Sequence, residues 1–156
     1  MTDGAERVSG SNINILQLNG TFEAFGLVMD FVVQVPPFSK FEAKALADAL
    51  LLQLRLSNHL VAMQGNRMVG YAGWLHTSRE VGEAWMNGFG KLNAISADKA
   101  DAASLTIVRS TDNSATRRLL RGARELNPGR LVYFKRDANP TQTTRKRSVQ
   151  NVTLSK

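Results

Sequence analysis

A single α/β domain, with a central mixed sheet flanked by helices, is the fold class that this 156-residue chain predicts. Three observations point there. The patterned segments run helix, helix, hairpin, helix, strand, helix, strand, and such alternation sets helices against a sheet. The length is that of one domain, enough to bury roughly two-thirds of the unfolded chain's surface. The composition, 43% hydrophobic and 21% charged, is that of an ordinary globular protein.

Residues 1–12, rich in Gly, Ser, Asn and Asp, read as a flexible lead to a domain spanning 13–140. Thr21 is placed to cap a first helix whose apolar positions Phe22, Phe25, Val28, Met29, Val32 and Val33 recur at spacings of three and four. Pro36-Pro37 ends it. Ser39 and Glu42 have capping-box spacing for a second, strongly apolar helix over about 40–55. His59–Gln64 and Arg67–Trp74 then read as strands joined through Gly65-Asn66, a dipeptide suited to positive φ, hence a hairpin. Thr77-Ser78 can start a third helix over about 79–90, and Leu105–Val108 reads as a third strand. Asp112 or Ser114 caps a fourth helix to about Leu126, Asn127-Pro128-Gly129 stops it, and Arg130–Lys135 is a fourth strand. Residues 141–156 form a basic tail with a candidate edge strand at Gln150–Leu154.

Composition narrows the chemistry. With no cysteine there is no disulfide, thiolate metal site or cysteine nucleophile, and two histidines without nearby acidic clusters predict no metal site. No apolar run reaches the roughly 20 residues of a membrane-spanning helix. The polar opening residues lack a signal peptide's basic start and apolar core, so the expected compartment is the cytoplasm. The net charge of +7 is uneven: residues 1–78 carry 5 basic and 6 acidic side chains, residues 79–156 carry 15 and 7. The second half therefore faces an anionic partner, with nucleic acid, a phosphorylated cofactor, an acidic carrier protein and an anionic membrane all fitting on charge alone.

Three constellations could carry function. Val108–Leu120 runs from strand through a polar turn into a helix, whose outward backbone amides, with Arg109, Asp112, Asn113, Ser114 and Arg117 around them, could hold a phosphate. The turn lacks glycine, and an ordinary capped helix explains it equally. The helix itself carries Arg117, Arg118, Arg121 and Arg124 against one acid, Glu125. That basic strip suits an acidic partner, whereas a solvated face is the plainer account. Finally, glycines inside the Arg67–Trp74 strand mark a close approach, and Tyr71, Gly73 and Trp74 could line an apolar cleft or simply fill the core.

These segments resemble the toxin-activating lysine acyltransferases, the family that fatty-acylates hemolysin-type RTX protoxins. The likeness covers about Gly26 to Asn151. Val35-Pro-Pro-Phe-Ser-Lys40 is similar to the family's Ser-Pro-Leu-His-Arg-like turn, and Val69-Gly-Tyr-Ala-Gly-Trp74 to its Val-Ala-Tyr-x-x-Trp strand. Ser110-Thr-Asp-Asn-Ser-Ala115 is similar to Gly-Asp-Asn-Gly-Ala, and Lys135-Arg-Asp-Ala-Asn-Pro140 to a strand ending in Arg-Val-Asp-Pro. The resemblance implies a fold like the GNAT acetyltransferase superfamily. It further implies transfer of a fatty acyl group from acyl carrier protein, or from acyl-CoA, to a lysine of a protein substrate, with no tightly bound cofactor.

The family's catalytic histidine falls on Ser39 and its catalytic aspartate on Leu105, or on Ser104 with a one-residue slip, so the catalytic pair is replaced. A lysine amine, which ordinarily loses its proton only at about pH 10.4, needs a base or a depressed pKa to attack a thioester, and neither serine nor leucine supplies one unaided. His76, after the Trp74 strand, is the remaining candidate near the cleft, alongside a plain surface role. Two other readings stay open: a catalytically inactive homologue that binds protein or acyl chain, and a basic nucleic-acid-binding protein using the Arg145-Lys-Arg147 tail. The latter ranks lower because no aromatics interleave with the arginines. A homodimer is compatible with the sequence.

Overall fold

The structure is a computed structural model that describes residues 12–136 and 145–150. Its elements run β1 (Ile13–Leu16), α1 (Phe22–Val33), α2 (Ala43–Arg55), β2 (His59–Gln64), β3 (Arg67–Thr77), α3 (Arg79–Met86), β4 (Ala102–Ser110), α4 (Asn113–Glu125), β5 (Leu131–Arg136) and β6 (Arg145–Gln150). One six-stranded sheet takes the strands in chain order. Every neighbouring pair is antiparallel except β4 and β5, which run parallel and are joined by α4. A parallel pair needs such a crossover, because a tight turn cannot return the chain to the same end of the sheet.

Helices cover both faces. Val28, Phe31 and Val32 of α1 and Leu46, Leu50 and Leu54 of α2 pack on Val61, Tyr71 and Ile107. On the opposite face Ala115, Leu119 and Ala123 of α4 cover Ala62, Ala72, Trp74, Ala103 and Leu105. Met86 of α3 closes over Ala102 and Tyr133, whose side chains alternate with those that meet α4. The mixed α/β architecture is therefore the expected one, with α1, α2 and α3 on one face and α4 on the other.

Local chemistry sets most boundaries. Thr21 Oγ1 accepts from Ala24 N at 3.1 Å, Ser78 Oγ from Val81 N at 3.2 Å and Asp112 Oδ1 from Ala115 N at 2.7 Å, so each of three helices starts at a side-chain cap. Gly65 sits at φ 60° in the β2–β3 turn. The capping-box expectation is corrected: Ser39 lies in a single 3-10 turn, Phe38–Lys40, and α2 begins at Ala43 with Glu42 making no side-chain cap. The reason is local, since Ser39 N is already bonded to Val35 O at 2.9 Å, inside the turn that Pro36-Pro37 begins. Helix α3 stops at Met86 rather than 90, with Gly88 and Gly90 at positive φ. Strand β1 was not expected, because its alternation is only four residues long. The edge strand is β6, Arg145–Gln150, against β5; residues 1–11 of the expected lead and 151–154 of the expected Gln150–Leu154 strand lie outside the described residues.

Strand β4 contains the departure that matters most. Ile107 pairs with Gly73 and Leu105 with Trp74, leaving Thr106 as an extra residue. This is a β-bulge, which interrupts the two-residue alternation and bends the strand. Its effect on facing is direct: Ala103 and Leu105 point to α4, whereas Ile107 joins the α1–α2 cluster.

Candidate functional site

The bulge coincides with a fork. Pairing of β4 with β5 runs from Ala102–Leu131 to Leu105–Phe134, while β4 continues beside β3 to Ser110 and β5 beside β6 to Arg136. Past Leu105 the two parallel strands therefore part. A cleft of about 670 Å³ opens there. Val35, Pro36, Pro37, Phe38 and Phe41, from the α1–α2 connection, form one apolar wall, with Trp85 of α3 and Leu105, Val108 and Phe134 of the sheet forming another. Phe38 and Phe41 meet edge-on, 5.6 Å between ring centres. A cavity of this volume, which joins an apolar wall to a polar one of similar extent, has room for a small molecule or an acyl thioester.

The polar groups cluster toward the start of α4: Arg109, Ser110, Thr111, Asp112, Asn113 and Thr116, with Lys135 across the fork. Arg109 is a strut as much as a cleft residue, since its guanidinium donates to Phe31 O and lies 4.1 Å over the Phe31 ring. Lys135 lies 4.4 Å over the Trp85 ring. At the helix start Asp112 caps α4, and Ser110 Oγ donates to Asp112 O at 2.9 Å while pairing with Thr116 Oγ1. The capping carboxylate thus occupies one of the amides that the phosphate reading requires. Asn113 and Thr111 remain at the surface of the cleft, and Ser114 and Arg117 lie exposed outside its lining.

The expected catalytic positions separate. Leu105 lines the cleft at the fork, with only 2% of its surface exposed. Ser104 is fully buried on the opposite face of β4, 3.2 Å from Thr77 Oγ1. Ser39 is exposed and absent from the lining, although its neighbours Phe38 and Phe41 belong to it. His76 also lies away from the cleft, its Nε2 donating to Asn127 Oδ1 at 3.0 Å near the far end of α4. Burial holds its pKa below the usual histidine value, the Asn127 bond raising it and the Arg130 charge lowering it. Among the described residues no histidine lines the cleft, and the one carboxylate that does is that of Asp112.

Tyr71, Gly73 and Trp74 form no cleft wall. Tyr71 is buried in the α1–α2 core and Trp74 under α4, on opposite sheet faces, because residues an odd number apart on a strand point oppositely. The Trp74 Nε1 has no hydrogen-bond partner among the described residues. Of the arginine strip, Arg117, Arg118 and Arg121 are exposed and Arg124 is half-buried. Arg118 donates to Ile13 O at 2.6 Å, tying α4 to the edge strand. Sequence reasoning missed Thr106, Lys135, Trp85, Phe38, Phe41 and Gln53. The last had a signal, an amide within the run Ala49-Leu-Leu-Leu-Gln-Leu54, and it is fully buried. Among the described residues no cluster of His, Asp and Glu could hold a metal ion, and no helix is long and apolar enough to cross a membrane.

Two solved structures share this arrangement. Drosophila melanogaster polyamine N-acetyltransferase, which catalyses the formation of N-acetylagmatine, superposes with a TM-score of 0.57 at 14% identity over 82% of this chain and 78% of that one. A mosquito arylalkylamine N-acetyltransferase like 5b gives a TM-score of 0.54 at 10% identity, over 80% of this chain and 76% of that one. No protein-family model and no curated protein matches the chain. At these identities the likeness establishes the fold and no narrower family: the chain has the fold of the GNAT-type N-acetyltransferases.

Proposed function

We propose that the protein is an N-acyltransferase in which the fork between β4 and β5 holds an acyl thioester and an amine attacks its carbonyl. The observation that carries this reading is the parting of two parallel strands at a bulge, opening a cleft of about 670 Å³ with an apolar and a polar side in an acetyltransferase fold. The nearer assignment, supported by the resemblance of the turn and strand motifs, is transfer of a fatty acyl group from acyl carrier protein, or acyl-CoA, to a protein lysine, as in RTX protoxin activation. In this reading the apolar wall takes the acyl chain. Arg109, Asn113 and Lys135 meet the polar part of the donor, and Arg117 and Arg121, exposed on α4, meet an acidic carrier.

Asp112 and Ser114 complete the helix start beside the donor. The amine arrives without a histidine in the cleft, and Leu105 at the fork contributes surface rather than a base. That same observation favours a second reading, a homologue that binds acyl chains or an acyl-loaded partner without transferring the group. Incubation with acyl carrier protein charged with fatty acid, with acyl-CoA and with a lysine-bearing protein, followed by intact-mass analysis, separates the two. An added acyl mass on the lysine supports transfer. Saturable donor binding with no transfer supports the binding module, and absence of donor binding sinks both.

A further inference from the structure

A buried hydrogen-bonded chain crosses from the core to the cleft at the bulge. The Tyr71 hydroxyl donates to Gln53 Oε1 at 2.8 Å, and Gln53 Nε2 donates to Thr106 Oγ1 at 2.7 Å. Tyr71 and Gln53 are fully buried, whereas Thr106 is the bulged residue and lines the cleft. The direction of the chain follows from its inner end. Among the described residues the phenol makes no other side-chain hydrogen bond, so turning the Gln53 amide over would leave the buried Tyr71 O–H with no acceptor. With the phenol donating inward, the Thr106 oxygen is already an acceptor, and its own hydrogen is directed away from Gln53. Burial also holds the Tyr71 phenol well above its usual pKa, so it stays a donor.

The chain is built into the fold. A Cβ on Gly73, opposite the bulge in the register, would lie 1.9 Å from Gln53 Oε1 and 2.8 Å from the Tyr71 hydroxyl. Only glycine leaves room for the amide. Core packing alone would place leucine at position 53, as at Leu50 and Leu54 beside it, and phenylalanine at 71. Three polar groups kept in register up to the first residue past the fork are explained by what they hold at its end.

We propose that Thr106 donates its hydroxyl hydrogen to the carbonyl oxygen of the acyl thioester, with Gln53 and Tyr71 as positioning residues. This inference rests on the acyl-transfer reading and names a group that touches the reacting atoms in it. When the amine nitrogen bonds to the carbonyl carbon, negative charge collects on the oxygen. The C–S bond then breaks, and the thiolate leaves and takes up the proton lost by the amine. A donor fixed beforehand stabilises that oxygen without reorganising. The bulge supplies the aim, because it turns residue 106 out of the regular alternation at the place where β5 no longer covers β4.

The test uses acetyl-CoA and hexadecanoyl-CoA carrying carbon-13 at the thioester carbonyl, bound to wild type, Thr106→Val and Thr106→Ser. Infrared difference spectra read the carbonyl hydrogen bond whether or not turnover occurs. Expected is a bound carbonyl band at lower frequency in wild type and Thr106→Ser than in Thr106→Val. Thioester cleavage should fall about a hundredfold in Thr106→Val, the scale of one lost oxyanion donor, and recover in Thr106→Ser. The same band position in all three proteins overturns the role of Thr106 and leaves the acyl reading standing. Failure of wild type to bind either thioester overturns that reading and this one together. Thr106→Val also leaves the buried Gln53 Nε2 without its acceptor and should melt below wild type, so all spectra are taken well below that transition; a Thr106→Val that melts lower yet keeps the wild-type band assigns the chain to stability instead.

Discussion

Gly73 shows how much one side chain can decide. It has no Cβ because the Gln53 amide occupies that volume, so the glycine read from the sequence as a mark of close approach is one, although what approaches is α2 rather than a ligand. Gly73→Ala should lower stability by about 1–3 kcal/mol, the range for forcing a methyl into a packed core; urea unfolding measures it, and an unchanged midpoint would contradict the packing. His59 sets a second local prediction. Its Nε2 accepts from Leu18 N at 2.9 Å and its Nδ1 faces Gln53 O at 3.2 Å, so the ring is neutral with the hydrogen on Nδ1. Burial pushes its pKa below the usual value, against smaller raising effects of the two backbone bonds, and His76 is lowered as well. The unfolded chain therefore binds protons that the folded one refuses. Stability is complete above about pH 6.5, the ordinary histidine value, and declines as pH falls from there toward the folded values. Urea midpoints should drop between pH 7 and 5, and a flat or rising profile would contradict the neutral pair.

Among the elements, α4 joins the two functional ideas, since its start borders the cleft and its outer face carries arginines. Asp112→Ala removes the cap and should cost about 1 kcal/mol, measurable by thermal or urea unfolding. Replacing Arg117 and Arg121 together by glutamine should leave stability nearly unchanged, since neither is paired in an ion bridge among the described residues. It should weaken binding of acyl carrier protein severalfold, most clearly at low salt. Equal affinity in the double variant would remove the strip from the docking surface. The three capped helices, the Gly65 hairpin and β5 were legible because caps, turns and periodicity are local. Strand β4 was only half legible. Residues 102–110 alternate on one phase before Thr106 and on the other after it, so period-two reading found the short run Leu105–Val108 and missed the bulge. The cleft residues Phe38 and Trp85 were illegible for another reason: they come from segments far apart in sequence, and what joins them is the fork.

At the scale of the whole molecule, four of the five strand pairings are antiparallel, as in many sheets, and the single parallel step from β4 to β5 gives this one its opening. The chain shares its fold with N-acetyltransferases, and at the fork it presents Leu105, with Ser39 off the cleft. Donor binding and catalysis are thus separable properties, and binding is the one on which everything else depends. The most direct measurement is a titration of the isotope-labelled protein with acyl-CoA of increasing chain length, followed by amide and indole NMR shifts. Saturable shifts concentrated at Thr106, Val108, Arg109, Phe134 and the Trp85 indole, with Trp74 little affected, are the predicted result. No saturable shift at any chain length, or shifts confined to surfaces away from the fork, would contradict it.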